Sequence, residues 1–351
     1  MSKYYDGSRI LATHSTYNIL LGQRANGKSY FVKKECVKEA FLGMGELIYL
    51  RRFANLELKE DDVRDYFQDC PTEEITGGEY NFIDVYHSRI YLSNIDESGE
   101  VTRGKCIGRT AGLSKAGKLK SAIQRGQYKN IIFEEFCTDE GYIKNEPKVL
   151  QQFVATVFGV QYTGRVWMIG NTISRYNPYM FTWQLRKTMD MRPGDLDLYR
   201  FKSAGEEDAT IAVEFCSAVE SNSSMFFGND AKNITEGVWE TNEQPAVPEE
   251  FGKFSVKYRV QIIHQDFNFM LKLIQNAKKE LMILCCYADK EEAKRKVSDQ
   301  PSGDPWTTTR LLPLTQGDQI MLDLLKKGKL VYVNNLCGTD FNTILKSAAF
   351  L

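Results

Sequence analysis

Little in this sequence supports chemistry by clustered metal ligands or by disulfides. It has three histidines and eight cysteines in 351 residues, and no two cysteines form a CxxC pair. Scattered thiols without histidine partners do not give the ligand spacing of a zinc site. They read instead as reduced, mostly buried cysteines in a reducing compartment. No apolar run is long enough to span a bilayer, and Met1–Ile10 is polar, without the apolar core of an export signal. The expectation is therefore a protein that is neither exported nor membrane-bound. A large net charge is also missing: the formal value is −1, so overall charge alone does not point to a polyanionic partner.

That balance conceals a strong segregation. Between Leu56 and Glu100 there are thirteen acidic and three basic residues. From Val101 to Phe133 there are eight basic residues and no acidic one: Arg103, Lys105, Arg109, Lys115, Lys118, Lys120, Arg125 and Lys129. Such a pair of segments forms two solvated faces or a basic element that meets a polyanion or a neighbour's acidic face. At 351 residues the chain is long enough for two domains.

The sharpest local signal is Gly22-Gln23-Arg24-Ala25-Asn26-Gly27-Lys28-Ser29, a complete GxxxxGK[ST]. Tyr17–Leu21 before it is a short apolar run that predicts a buried strand, and the residues from Ser29 to Leu42 show helical spacing. Strand, glycine loop and helix are the context in which backbone N–H groups face phosphates at a helix N-terminus. Lys28 then reaches the β- and γ-phosphates and Ser29 ligates Mg2+. Tyr30 follows directly. Glu46–Leu50 reads as a second core strand, and Arg51 and Arg52 at its carboxyl end either face the region where ligands sit in open α/β sheets or solvate the strand end and pair with local acids.

Ile131-Ile132-Phe133-Glu134-Glu135 is an apolar strand ending in two carboxylates. Glu134 is placed to hold Mg2+ through water and Glu135 to polarise an attacking water. The commoner residue at the first position is Asp, so Glu134 is a departure with one extra methylene. A further apolar strand, Arg165 to Ile169, leads to Asn171. In ATPases with an additional strand between the phosphate loop and the acidic strand, a polar residue there senses the γ-phosphate. A water-activating carboxylate marks a hydrolase rather than a nucleotide kinase or a passive switch.

Leu196–Phe201 and Thr210–Phe215 predict strands that finish this sheet, giving an ATPase domain over residues 1–216. Residues 217–250, rich in Ser, Asn and Glu with Pro245 and Pro248, read as a linker module. Beyond it, residues 251–351 predict a smaller α+β domain. Its strands are Phe254–Ile263, Leu281–Tyr287 and Leu330–Val333, with 267–277 as a hairpin partner, a helix over Asp318–Lys327 and a loop over 288–310. Fifteen basic against ten acidic residues there leave open a contact with nucleic acid or a protein partner, or a merely solvated surface. Tyr4 or Tyr5 offers an adenine-stacking ring, set against an N-terminal tyrosine that simply frays.

Taken together, residues 18–30, Leu47–Phe53, Lys120-Ser121, Ile131–Phe136, Arg165 through Asn171 and Asn177–Tyr179 resemble the DNA-encapsidation ATPases of small short-tailed phages, relatives of the large terminase subunits. The resemblance implies an additional-strand P-loop fold and an ATP-driven ring, typically a pentamer at the portal vertex, that moves double-stranded DNA into a preformed capsid. It implies ATP and Mg2+ as the bound groups, the capsid portal as a partner and a structural RNA as an admissible one. The location implied is the host bacterial cytoplasm, with transient residence on the capsid. By position it assigns Arg24 to the nucleotide, and Arg165 and Lys120 to a neighbour's nucleotide in trans. Lys115, Lys118 and Arg125 then face DNA or the neighbour. The C-terminal domain is expected to be RNase H-like without a cutting site, since Asp266 and Asp289 follow strands without forming the clustered acids that two metal ions need. The alternative is a helicase-like or repair ATPase acting as a monomer, for which a second motif set is missing.

Overall fold

Tyr17–Leu21 is buried along its whole length, as a strand must be when helices cover both faces of a parallel sheet. In the computed structural model this strand, β1, lies inside a nine-stranded sheet. The structure describes residues 5–119, 123–124, 126–138, 141–159, 164–172, 177–202, 209–217, 243–264, 267–288, 291–299 and 302–347, without the side chains of 55–56, 118–119, 189 and 346–347. These residues form two compact units.

The first unit opens with the short helix α1 (Ser8–Leu11), then β1 and α2 (Lys28–Phe41). It continues with β2 (Glu46–Arg51), α3 (Ala54–Glu57), α4 (Glu60–Phe67), α5 (Thr72–Thr76), β3 (Phe82–Tyr86), β4 (Arg89–Ile95) and β5 (Val101–Gly112). Then come α6 (Ala116–Leu119), β6 (Tyr128–Glu134), α7 (Glu146–Phe158), β7 (Arg165–Ile169), α8 (Pro178–Thr182), β8 (Leu196–Phe201) and β9 (Ala209–Phe215). The sheet order is β3-β4-β5-β2-β6-β7-β1-β9-β8. β7 therefore sits between the phosphate-loop strand and the acidic strand and is parallel to both, the additional-strand arrangement expected from the sequence.

Alternation along the strands builds two cores. Ile19, Leu21, Ile131 and Phe133 face a layer that includes Phe153 and Val157 of α7 and Tyr179 of α8. Leu20, Ile132 and Trp167 face the opposite layer, with Val32 and Cys36 of α2 and Val63 and Phe67 of α4. Register levels the strand ends: Leu20 lies beside Ile169, and Ile169 beside Glu134. The loops carrying the motifs thus leave the sheet along one edge, at the carboxyl ends of parallel strands.

The two charge-segregated segments are one antiparallel wing rather than two opposed surfaces. The acidic stretch supplies α4, α5, β3 and β4, and the first part of the basic stretch is β5, paired with β4. Arg103 of β5 and Arg64 of α4 both close on the buried Asp84 of β3, and Lys105 donates to the carbonyl of Phe41 at 2.7 Å. Part of the charge of the basic stretch is thus consumed within the chain, because strand pairing brings the two segments side by side.

The second unit is a six-stranded sheet in the order β14-β13-β10-β11-β12-β15. Its strands are β10 (Phe254–His264), β11 (Phe267–Asn276), β12 (Leu281–Tyr287), β13 (Arg295–Ser298), β14 (Thr307–Thr308) and β15 (Leu330–Tyr332), with helices at Gln316–Lys326 and Asn335–Ser347. β10, β11 and β12 form an antiparallel meander, and β13 joins β10 in parallel. The segment 288–310, read as a loop, contains β13 and β14: its charged residues hid two short strands, one of them anchored by Arg295, which is buried against Asp318. Asp266 and Asp289 lie outside the described residues, as does most of the predicted linker module. Among the described residues no group of three or more His, Cys, Asp or Glu is placed to hold a metal ion, and no helix is long and apolar enough to cross a membrane. All eight cysteines are free thiols, six of them buried.

Candidate active site

Two left-handed glycines shape the loop after β1. Gly22 has φ +143°, and a Cβ there would press on the Cys216 carbonyl and the Asn26 side chain at 3.2 Å; Gly27 has φ +95° and caps α2. Ala25 between them is also left-handed, at φ +58°. The loop folds around its own lysine: the buried Lys28 ammonium donates to the carbonyls of Gly22 (3.1 Å) and Gln23 (2.6 Å) and to Oδ1 of Asn26 (3.1 Å). Burial pushes the Lys28 ionisation down, while its charge-assisted contacts keep the head group aimed into the loop. Nδ2 of Asn26 is buried and has no acceptor among the described residues. A donor, an ammonium and the N-terminus of a fourteen-residue helix thus converge where an anion fits.

Across the cleft, the carboxylate of Glu134 accepts two hydroxyls. Ser29 Oγ donates to Oε1 at 2.8 Å and Tyr66 Oη donates to Oε2 at 2.9 Å. Burial raises the Glu134 carboxyl above its usual range, and the two hydroxyl hydrogen bonds oppose that rise. Ser29 and Glu134 together offer hard oxygen donors side by side, which suits Mg2+ with part of its water shell retained.

Glu135 is exposed and left-handed, with φ +54°, a backbone cost of about 1 kcal/mol that only surrounding structure sustains. Arg52 supplies that support. Its guanidinium donates to the carbonyls of Glu135 (3.2 Å) and Phe136 (2.7 Å) and pairs with the fully buried Glu146 at 2.9 Å. Glu146 is completed by Tyr179 Oη and the Ile143 N–H, each at 2.8 Å. Arg51, next in sequence, points the other way and pairs with the Glu135 carboxylate at 2.6 Å and with Glu57 at 3.1 Å.

The loop and the two carboxylates line one cavity of about 650 Å3, whose wall includes Arg24 to Tyr30, Glu134, Glu135 and Asn171. Gly22 and Gln23 stand behind that wall, as the start of the loop and as acceptors for Lys28. Asp69 is in the wall too, paired with Lys33. Asp69 and Tyr66 are functional candidates that the sequence reading missed. They sit in the acidic stretch with no motif around them, and only the docking of α4 brings them here.

Other expected residues lie elsewhere. Arg165 begins β7, at the end of the strand away from Asn171, roughly 15 Å along it. There it is ion-paired with Glu39 of α2. Lys115 is exposed on the short turn before α6, whereas Lys120, Arg125 and the side chain of Lys118 lie outside the described residues. Tyr4 does as well. Tyr5 is neither frayed nor presented to a base: its hydroxyl donates to Glu214 at 2.7 Å, and its ring packs edge-on against Phe31.

Comparison with known proteins fits this geometry. A family model described as Podovirus DNA encapsidation protein (Gp16) matches residues 1–200. The DNA packaging protein of Bacillus phage B103 is 32% identical over 187 residues, covering 52% of each chain. That of Bacillus phage phi29 is 28% identical over 199 residues, covering 54% of this chain and 53% of the relative. The alignment with these curated relatives thus spans about half their length. Among solved structures, a chain of the bacteriophage Phi-29 viral genome packaging motor assembly shares the fold, with a TM-score of 0.60 at 19% identity over 98% of this chain and 99% of that one. A phosphate loop, a paired-carboxylate strand and the additional strand between them therefore occur here within a match that takes in more than half of the sequence, and the chain belongs to the Podovirus DNA encapsidation protein (Gp16) family.

Proposed function

We propose that this protein hydrolyses ATP to drive double-stranded viral DNA into a preformed capsid, acting as a ring of subunits at the capsid portal. The observation that carries the proposal is the meeting of Lys28, Ser29, Glu134, Glu135 and Asn171 around a single cavity. In this reading the loop N–H groups and Lys28 hold the phosphates, Lys28 exchanging loop carbonyls for phosphate oxygens. Ser29 and Glu134 hold the divalent cation, which when bound neutralises charge on the phosphate oxygens. Glu135 orients a water and takes its proton. Asn171, at the end of the intervening strand, contacts the γ-phosphate or that water. A ring further calls for a cation from one subunit at the next subunit's nucleotide. Lys120 and Arg165 carry that role in the proposal, and Arg165 would first have to leave Glu39.

For the second unit we propose a nuclease-like fold that does no cutting, supported by its antiparallel meander extended in parallel beyond the first strand. Retention of cleavage by this chain with Mn2+ would overturn that part.

The experiment is steady-state hydrolysis by the full chain and by Glu135→Gln, with and without double-stranded DNA, alongside oligomeric state. DNA-stimulated turnover that falls about 10²–10⁴-fold in the variant while ATP binding persists supports the motor. A variant as active as the wild type places the catalytic carboxylate elsewhere. Stimulated turnover by a strict monomer would overturn the ring.

A further inference from the structure

The residue at the metal position is Glu rather than the commoner Asp, and the structure shows what accompanies it. A glutamate carboxylate has one more methylene and one more torsion than an aspartate, so from the end of a strand it sweeps a wider arc. Here that arc is closed from two sides. Ser29 approaches from the N-terminal turn of α2 and Tyr66 from the last turn of α4, each donating to a different oxygen. A serine hydroxyl that donates its proton keeps lone pairs for a cation. The tyrosine, reaching the other oxygen, sets the plane of the carboxylate.

The phenol is itself held. The Tyr49 ring lies 4.5 Å from the Tyr66 ring, the Lys33 ammonium sits 4.5 Å over it, and Lys33 also donates to the Tyr66 carbonyl at 2.6 Å. Lys33 is one helical turn beyond Ser29, so both members of the Glu134 clamp are referred to the same helix face. The helix that carries Tyr66 is tied in turn to β3: Arg64 donates to Asp84 at 2.8 Å and to the Val85 carbonyl at 2.9 Å. A donor supported this way is preorganised, and preorganised support around a ligand-bearing carboxylate is what tunes affinity for a cation.

We propose, building on the ATPase reading above, that Tyr66 is a positioning residue for the nucleotide-bound cation. By holding Oε2 of Glu134 it aligns the longer carboxylate with Ser29, making Glu134 serviceable where the shorter Asp is customary. Tyr66 touches neither nucleotide nor cation in this role; it acts through Glu134.

The test uses the full chain and Tyr66→Phe, which removes one hydroxyl and leaves the ring packing in place. Binding of a fluorescent ADP analogue is followed by anisotropy in EDTA and across a Mg2+ titration. The expected result is a rise of about 10-fold in the half-saturating Mg2+ concentration, from the loss of one hydrogen bond to a charged group, with affinity in EDTA unchanged within twofold. A second pair, Glu134→Asp and Glu134→Asp/Tyr66→Phe, is expected to differ little, because the shorter carboxylate does not reach the phenol. An unchanged Mg2+ requirement in Tyr66→Phe overturns the proposal while leaving the ATPase reading intact. So does an equal loss of affinity in EDTA, which marks a merely structural hydroxyl. Absence of any Mg2+ effect in the wild type would instead overturn the ATPase reading, and this proposal with it.

Discussion

The guanidinium of Arg51 meets the carboxylate of Glu135 at 2.6 Å, across the mouth between β2 and β6. Arg51 also holds Glu57, so the carboxylate proposed to activate water is restrained by a fixed cation rather than left to sweep through solvent. Arg51→Ala is expected to lower kcat by about 10–100-fold, since a misdirected general base forfeits much of its contribution. Nucleotide affinity should stay within twofold, because Arg51 is not in the cavity wall. Turnover that rises instead would show the pair to be a restraint on hydrolysis rather than an aid.

Arg52 faces inward, and its loss should act through folding first. Arg52→Met leaves the buried Glu146 carboxylate with the Tyr179 hydroxyl and the Ile143 N–H but without its cation. Breaking one partner of a buried pair costs about 3–5 kcal/mol. Denaturant unfolding of the variant should show that loss, and Glu146→Gln should be the milder change because the Arg52 bonds to the Glu135 and Phe136 carbonyls survive.

Asp84 separates intrachain pairing from neighbour docking. It is buried between Arg64 and Arg103, so Asp84→Ala removes an acceptor shared by two partly exposed guanidinium groups and should cost about 1–2 kcal/mol. Arg103→Glu should likewise destabilise the isolated subunit. A variant with wild-type unfolding but impaired oligomerisation would return the basic strand to an interface.

Acid should loosen α2 from the end of the sheet opposite the candidate nucleotide cavity. Burial pushes the Glu39 carboxyl up, but the Arg165 guanidinium and the Asn130 amide outweigh it, and the net direction is down. A carboxyl depressed by folding adds stability that is present above its unfolded value, near 4.3, and is lost as pH falls through the folded one. Glu39→Gln should therefore cost about 1–2 kcal/mol at pH 7 and show a flatter loss of stability below pH 4 than the wild type. Parallel acid profiles for the two would show that the pair does not stabilise the fold.

The sequence was most legible where one short stretch contains both the structure and its chemistry. Gly22 to Ser29 carries its own turn-forming glycines, helix start and the lysine proposed to hold phosphate. Tyr17–Leu21, Ile131–Glu134 and Arg165–Ile169 are continuous apolar runs because parallel strands are covered on both faces. Arg51 and Arg52 were visible as a strand-end pair, but not the division between them: one faces the Glu135 carboxylate and the other a buried glutamate 94 residues away. β13 and β14 were hidden because short strands with charged residues lack the periodicity that identifies longer ones.

What the sequence by itself determined is the phosphate loop, the acidic strand end and the parallel core that places them, since each is written in neighbouring residues. Only the tertiary structure decided that Tyr66 would complete Glu134, that Asp69 would line the cavity, that Arg165 would be occupied by Glu39, and that the acidic and basic stretches would join as one wing. Those outcomes depend on which strands pair and where α4 docks, contacts between residues tens of positions apart whose closure no local pattern encodes.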